Sequence, residues 1–164
     1  MYYNIDSPMG HSIMEQMRRA LVDYAEGRGI QGDINLREIR PEDLGLTAQT
    51  ITIAAGEATY TLTRDVKEGC AIVIGGWTVN DALLREVDVY KGTAMLHNWN
   101  IGNIYYMRDK QGVRQEYVMW ARGDTLKLIF TPKATSTAAQ VSNTWPIGWI
   151  IIPHMGSSAT RASG

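Results

Sequence analysis

A chain of 164 residues, 45% hydrophobic and 20% charged, has the size of one ordinary domain with an appendage and enough apolar area to exclude global disorder. Its sixteen Lys and Arg are scattered among seventeen acids for a formal charge of -1, without the basic stripe that a nucleic-acid partner needs. The start Met1-Tyr2-Tyr3-Asn4-Ile5-Asp6 has neither a basic nor an apolar signal region, and the longest apolar run, Ile147 to Ile152, is far too short to cross a bilayer, so cytoplasmic synthesis with no membrane partner is expected.

The first element is an amphipathic helix. Ser7-Pro8 offers an N-cap followed by proline, while Ser12 with Glu15 three residues on matches a capping box. Gly10 disfavours the earlier start, so the helix is expected from Ser12. Ile13, Met17, Ala20, Leu21 and Tyr24 share one face, and Gly27 and Gly29 end the element. About four turns of helix are not stable alone in water. The stripe Ile13, Met17, Leu21 and Tyr24 must therefore lie on the chain's own β module, on a second copy or on another protein.

Gly27-Arg28-Gly29-Ile30-Gln31-Gly32 spells a dinucleotide fingerprint in the wrong place, since these glycines follow a helix instead of joining a strand to one. Asp33-Ile34-Asn35-Leu36 alternates like a short strand. Pro41-Glu42-Asp43-Leu44 reads as one helical turn with acids at the positive end of its dipole.

From Gln49 to about Pro132, short β-branched and aromatic runs recur at regular spacing between turn residues. The expected strands are Ile51 to Ile53, Tyr60 to Leu62, Ala71 to Ile74, Val87 to Tyr90, Ile104 to Met107, Tyr117 to Trp120 and Leu126 to Phe130. Ala54-Ala55-Gly56-Glu57 reads as a hairpin loop joining the first two, whose Thr-rich face is exposed. The unbroken apolar run Ala71-Ile72-Val73-Ile74 predicts a central strand covered on both faces, and Gly75-Gly76 permits a bulge ahead of Trp77.

The run Thr50-Ile51-Thr52-Ile53-Ala54-Ala55-Gly56, then Tyr60-Thr61-Leu62-Thr63, then Ala71-Ile72-Val73-Ile74-Gly75-Gly76 resembles the β-sandwich modules of tailed-bacteriophage virion proteins. In that group a TVTIA-Gly strand, a Thr-rich second strand and a Val-Val-Leu-Gly-Gly strand recur in fibres, spikes and capsid decorations. The likeness covers about the middle half of the chain and brings no catalytic residues with it. It implies a structural subunit located in the virion, with a homo-oligomer and other virion proteins as partners. The helix in front and the wealth of Trp and Tyr depart from the pattern.

Ala134-Thr135-Ser136-Thr137-Ala138-Ala139 is a small polar segment expected as an exposed loop or arm. Trp145 to Pro153 is bracketed by prolines, which belong at strand ends or on edges, and reads as a final strand either buried in the sandwich or paired with a neighbouring subunit; the second placement makes Trp145 and Trp149 candidate edge-strand contacts. Residues 155–164, rich in Ser, Gly and Ala, are expected as a loose tail. The domain plan is an N-terminal arm, helix and linker over 1–46, an antiparallel β-sandwich over 47–154, with a jelly-roll winding among its options, and the tail. The fold class is mainly β.

Nothing here spells a reaction. His11, His97 and His154 stand apart, and neither CxxC nor HExxH occurs, so no metal or cofactor is expected. Cys70 lies in an apolar run with no base to activate it. Glu86 and Asp88, at i and i+2, share one strand face and could imitate two glycosidase carboxylates, but two such acids on an exposed strand face are far more often a solvated surface. Arg122-Gly123-Asp124 is what a tight turn requires, and catalytic residues are expected to be absent.

The alternative to assembly is carbohydrate binding. Five Trp and eight Tyr against one Phe suggest half-wet surfaces, since these side chains join an apolar body to a polar handle. Trp77, Trp99, Tyr105, Tyr106, Trp120, Trp145 and Trp149 could stack on sugar rings. His97-Asn98-Trp99-Asn100 reads as a loop whose amides could serve glycan hydroxyls, and it is the best candidate ligand or contact loop.

Overall fold

Most strands form where the β-branched alternation predicts them, and the pairing between them creates the architecture. The computed structural model describes residues 8–27, 34–46, 50–67, 69–79, 83–100 and 117–153, with backbone alone at 8–13, 34, 78, 79, 99, 100 and 153. Helix α1 spans Pro8–Gly27. It is followed by β1 (Ile34–Glu38), a 3-10 turn (Pro41–Leu44), β2 (Thr50–Ile53), β3 (Tyr60–Asp65), β4 (Ala71–Val79), β5 (Leu84–Lys91), β6 (Ala94–Asn100), β7 (Val118–Ala121), β8 (Thr125–Pro132) and β9 (Gln140–Pro153). The arm 1–7, the glycine linker 28–33, the expected strand Ile104 to Met107 and the tail 155–164 lie outside the described residues.

The strands make two antiparallel sheets. One runs β1-β9-β4-β7 with β2 also on β9, and the other runs β3-β8-β5-β6. The pairing is nested: β1 and β2 pair with β9, β3 with β8, β4 with β7 and β5 with β6. The chain behaves as one long hairpin, turning at Gly92, whose two halves stay paired while being rolled so that successive arms fall on opposite sheets. With β1 and β2 counted as one interrupted strand, the strands among the described residues follow the eight-strand jelly-roll winding of a β-sandwich.

Side-chain alternation distributes the apolar residues over three layers. Ile72, Ile74, Trp77, Trp120 and Ile150 of the first sheet face Leu62, Val87, Val89, Leu126, Leu128 and Phe130 of the second, and all are buried. The intervening residues Ala71, Val73, Ile147 and Ile151 point the other way and meet Met14, Met17, Leu21 and Ala25 of α1. The expectation that Ala71 to Ile74 is covered on both faces therefore holds, with the sandwich core on one side and the helix on the other. A register shift between Ile74 and Gly76 turns Trp77 inward, where it packs edge-on against Phe130 with ring centroids 5.1 Å apart.

Three local expectations are corrected. The helix starts at Pro8, not at Ser12: proline suits a first turn, and the tertiary packing of α1 outweighs the cost of about 1 kcal/mol for Gly10. Ala54 to Glu57 does not close a hairpin, because β2 pairs with β9 and β3 with β8. The loop crosses between sheets, tied down by the Gly56 amide donating to the Ser136 carbonyl at 2.7 Å. Alternation specified which side chains of these strands point inward but not which strand lies beside them. Finally, the segment before residue 47 is built into the sandwich: β1 pairs along the end of β9, and Ile39, Leu44 and Leu46 join its core. The Arg37 guanidinium holds Asp43 of the 3-10 turn with two hydrogen bonds of 2.8 and 2.7 Å, fixing β1 to that turn.

Candidate functional site

The helix stripe is spent inside the molecule. Met17 and Leu21 are fully buried, and Tyr24 packs partly against the same cluster. The Ile13 side chain lies outside the described residues. Trp149 lies beneath the helix and donates its indole Nε1 to the Met14 carbonyl at 3.0 Å. Met17 and Leu21 are thus not available as contacts for a partner, and Trp149 is partly covered. Of the two placements open to the last strand, burial in the sandwich is the one found and the edge contact is corrected: β9 lies inside the first sheet, with β1 and β4 both paired to it, because its apolar residues serve the helix and the sandwich core alternately. Trp145, also on β9, lies beyond the helix and retains 37% exposure.

His97 to Asn100 is not a loop but the second half of β6, paired with Val89 to Glu86 of β5. Its polar residues looked loop-like because an edge strand tolerates amides that a central strand does not. Asn98 is half-buried and donates its Nδ2 to Glu86 Oε2 at 3.0 Å and to Asp88 Oδ1. Its amide donor is therefore occupied by the two carboxylates of the neighbouring strand. The side chains of Trp99 and Asn100 lie outside the described residues, and His97 is half-buried.

Glu86 and Asp88 do share a face, as their spacing predicts, on the outer side of the second sheet. Glu86 also accepts a hydrogen bond from Arg85 Nε at 3.1 Å, so the pair forms an acceptor patch satisfied by its neighbours. Among the described residues no group of three or more His, Cys, Asp or Glu could hold a metal ion. Burial pushes the Cys70 thiol up, with Lys67 and Arg64 only partly opposing it, which is the reverse of what a nucleophile needs. In the Arg122-Gly123-Asp124 turn, Asp124 Oδ2 accepts the Ala121 amide at 2.8 Å and Gly123 has φ +91°, so the carboxylate serves the crossing between sheets.

The aromatic residues are mostly structural. Trp77 and Trp120 fill the sandwich core, with Trp120 Nε1 donating to the Tyr90 carbonyl at 3.0 Å. On the outer face of the second sheet, Lys127 Nζ sits 4.4 Å from the Tyr90 ring centroid. Stacking platforms for sugars are thereby reduced, since Trp77 and Trp120 are buried and Trp149 is partly covered by the helix.

One feature was missed from the sequence. Met95 and Leu96 in β6 are adjacent large apolar residues, 55% and 47% exposed. Among the described residues β5 is the one strand beside β6, so they sit on a sheet edge. The register shift opposite Val89 and Tyr90 makes Leu96 the extra residue of a bulge. The signal was present in the sequence: two consecutive apolar residues just after the Lys91-Gly92 turn cannot both point inward from one strand.

Comparison with known proteins adds little. No protein-family model matches the chain, and no curated protein matches it. Among solved structures it is similar to the functional form of the mosquito-larvicidal Cry4Aa toxin from Bacillus thuringiensis, at 10% identity and a TM-score of 0.32, over 73% of this chain and 23% of the toxin chain. The chain thus spans about a quarter of the toxin's length, and so loose a likeness carries no argument about activity.

Proposed function

We propose that the chain is a non-enzymatic structural subunit of a bacteriophage particle, a capsid decoration, spike, fibre or tail-accessory protein, working through oligomerisation and docking on other virion proteins. The observation that carries this reading is the edge of β6. Soluble β proteins guard such edges with charge, proline or a covering element, whereas Ala94 to Asn100 contains no Asp, Glu, Lys, Arg or Pro and exposes Met95 and Leu96 side by side. An apolar strand edge of this kind is suited to pairing with another chain. The jelly-roll winding is compatible, as this architecture recurs in viral capsid proteins, although it is also found in lectins and by itself implies no function. The burial of Trp77 and Trp120, with Trp149 partly covered by the helix, favours assembly over sugar binding.

Size-exclusion chromatography with light scattering tests the proposal. The parent chain is expected to elute as an oligomer, and Met95→Lys with Leu96→Lys to shift it toward monomer with unchanged circular dichroism. A parent that is monomeric at every concentration, or an oligomer indifferent to both lysines, would overturn the role given to this edge.

A further inference from the structure

Five strands border the two sheets among the described residues: β1 and β2 beside β9, β7 beside β4, and β3 and β6 at the two ends of the second sheet. They are not equivalent. β1 carries Arg37 and Glu38 and β3 carries Arg64 and Asp65, charges of the kind that keep an edge from pairing. β2 and β7 lack charge but are four residues long. Their apolar side chains are spent: Ile51, Ile53, Val118 and Trp120 are buried, and Met119 packs partly against the helix cluster. β6 is seven residues long, carries no charge and leaves Met95 and Leu96 exposed.

These differences select what β6 can pair with. Pairing with the β1 or β3 edge of another copy would press charged side chains against a strand that offers none in return, a desolvation cost with nothing to offset it. β2 or β7 of another copy would meet β6 over four residues and present no exposed large apolar side chain to Met95 and Leu96. β6 of another copy matches its length and supplies the same exposed pair. Self-pairing also sets no like charges opposite one another, because the strand has none.

The bulge narrows the choice further. Leu96 is its extra residue, and a bulge bends and twists an edge away from a straight neighbour. Across a two-fold axis the facing strand carries the same bulge at the same place, so the two strands bend together. A straight strand from an unrelated chain would not follow.

We infer that β6 pairs antiparallel with β6 of a second copy, about a two-fold axis at Leu96, joining two four-stranded sheets into one of eight strands. This pairing rests on the reading of the β6 edge as an assembly contact. Met95 and Leu96 of each copy then cover those of the other, as an isologous contact requires. Such a contact closes on itself, so this edge makes dimers and not fibres, and larger assemblies must be built through other surfaces.

Single-cysteine proteins, full-length and carrying Cys70→Ser, test the arrangement. Residues facing across an antiparallel ladder have Cα atoms about 4.5–5.5 Å apart, so Leu96→Cys should give a disulfide-linked dimer under mild oxidation. The exposed Thr93, three residues away, would stand about 20 Å from its counterpart, at about 3.4 Å per residue in each strand. Thr93→Cys should therefore crosslink at least about tenfold less, and adding Met95→Lys should abolish the Leu96→Cys crosslink. Equal crosslinking at both positions would overturn the antiparallel two-fold. So would a Leu96→Cys protein that does not crosslink while Met95→Lys with Leu96→Lys still disperses the oligomer; the edge would then serve another surface, and its role in assembly would stand. A parent that is monomeric at every concentration, or an oligomer indifferent to both lysines, with no crosslink at Leu96→Cys, overturns both.

Discussion

Gly148→Ala is the sharpest test of how the two central strands meet. Gly148 of β9 pairs with Ile74 of β4, immediately before the register shift between Ile74 and Gly76. A Cβ built on it would lie 1.9 Å from the Val73 carbonyl oxygen, 2.9 Å from the Val73 carbonyl carbon and 3.0 Å from the Ile74 Cα. These are all backbone atoms, so no side chain can swing away. Real contacts begin near 3.0 Å, and β4 and β9 must therefore part by about 1 Å. Separation on that scale weakens about two ladder hydrogen bonds at 0.5–1.5 kcal/mol each. Overpacking strain of about 1–3 kcal/mol adds to it, giving a loss of roughly 2–6 kcal/mol. Against the stability of about 5–15 kcal/mol typical of a domain, the variant should be severely weakened.

Two other glycines isolate the cause. Gly56→Ala meets open space but sits at φ +79°, so its cost is backbone strain alone, about 1 kcal/mol. Gly27→Ala also meets open space at the end of α1 and should be neutral or slightly stabilising, by at most about 1 kcal/mol. Urea denaturation followed by circular dichroism ranks the three. A Gly148→Ala midpoint equal to that of Gly56→Ala would refute the close approach of β4 and β9.

Leu21→Ala removes a fully buried side chain between α1 and the first sheet and should cost about 2–5 kcal/mol, while Arg19→Ala, on the exposed side, should stay within about 0.5 kcal/mol of the parent. Equal midpoints for the two variants would mean that the helix is not docked as described. Asp43 tests pH dependence: burial pushes its carboxyl up, but hydrogen bonds from Arg37 and the Arg40 amide, together with their charges, outweigh this and hold it below the usual carboxylate range. Its contribution is complete above the unfolded-chain value of about 3.9 and is lost as the pH falls through the lower native value. Asp43→Asn should cost about 1–3 kcal/mol near neutrality. The gap to the parent should close below about pH 4, and a gap that stays constant into strong acid would contradict the linkage.

Much of this protein is legible one residue at a time. The runs Thr50 to Ile53, Leu126 to Phe130 and Ala71 to Ile74 form strands because β-branched alternation or an unbroken apolar run allows little else, and Met17 and Leu21 face inward because a helix repeats every 3.6 residues. The proline turn at Pro41 and the bulge permitted at Gly75-Gly76 follow from backbone chemistry of the same local kind. What periodicity does not encode is the identity of the neighbour. It assigns Thr61 and Leu62 to opposite faces of β3 but is silent on whether β2 or β8 lies alongside, so a crossing between sheets looked like a hairpin. Composition left an edge contact open at Trp145 and Trp149, yet β9 lies inside its sheet, and it suggested an exposed loop at His97, where there is an edge strand. The nested pairing that makes a jelly roll, and with it the placing of Met95 and Leu96 on an open edge, arises from contacts between residues far apart in the chain. Only the folded chain decides those, because backbone hydrogen bonds between strands are alike for every sequence and the choice among them rests on how both faces can be buried at once.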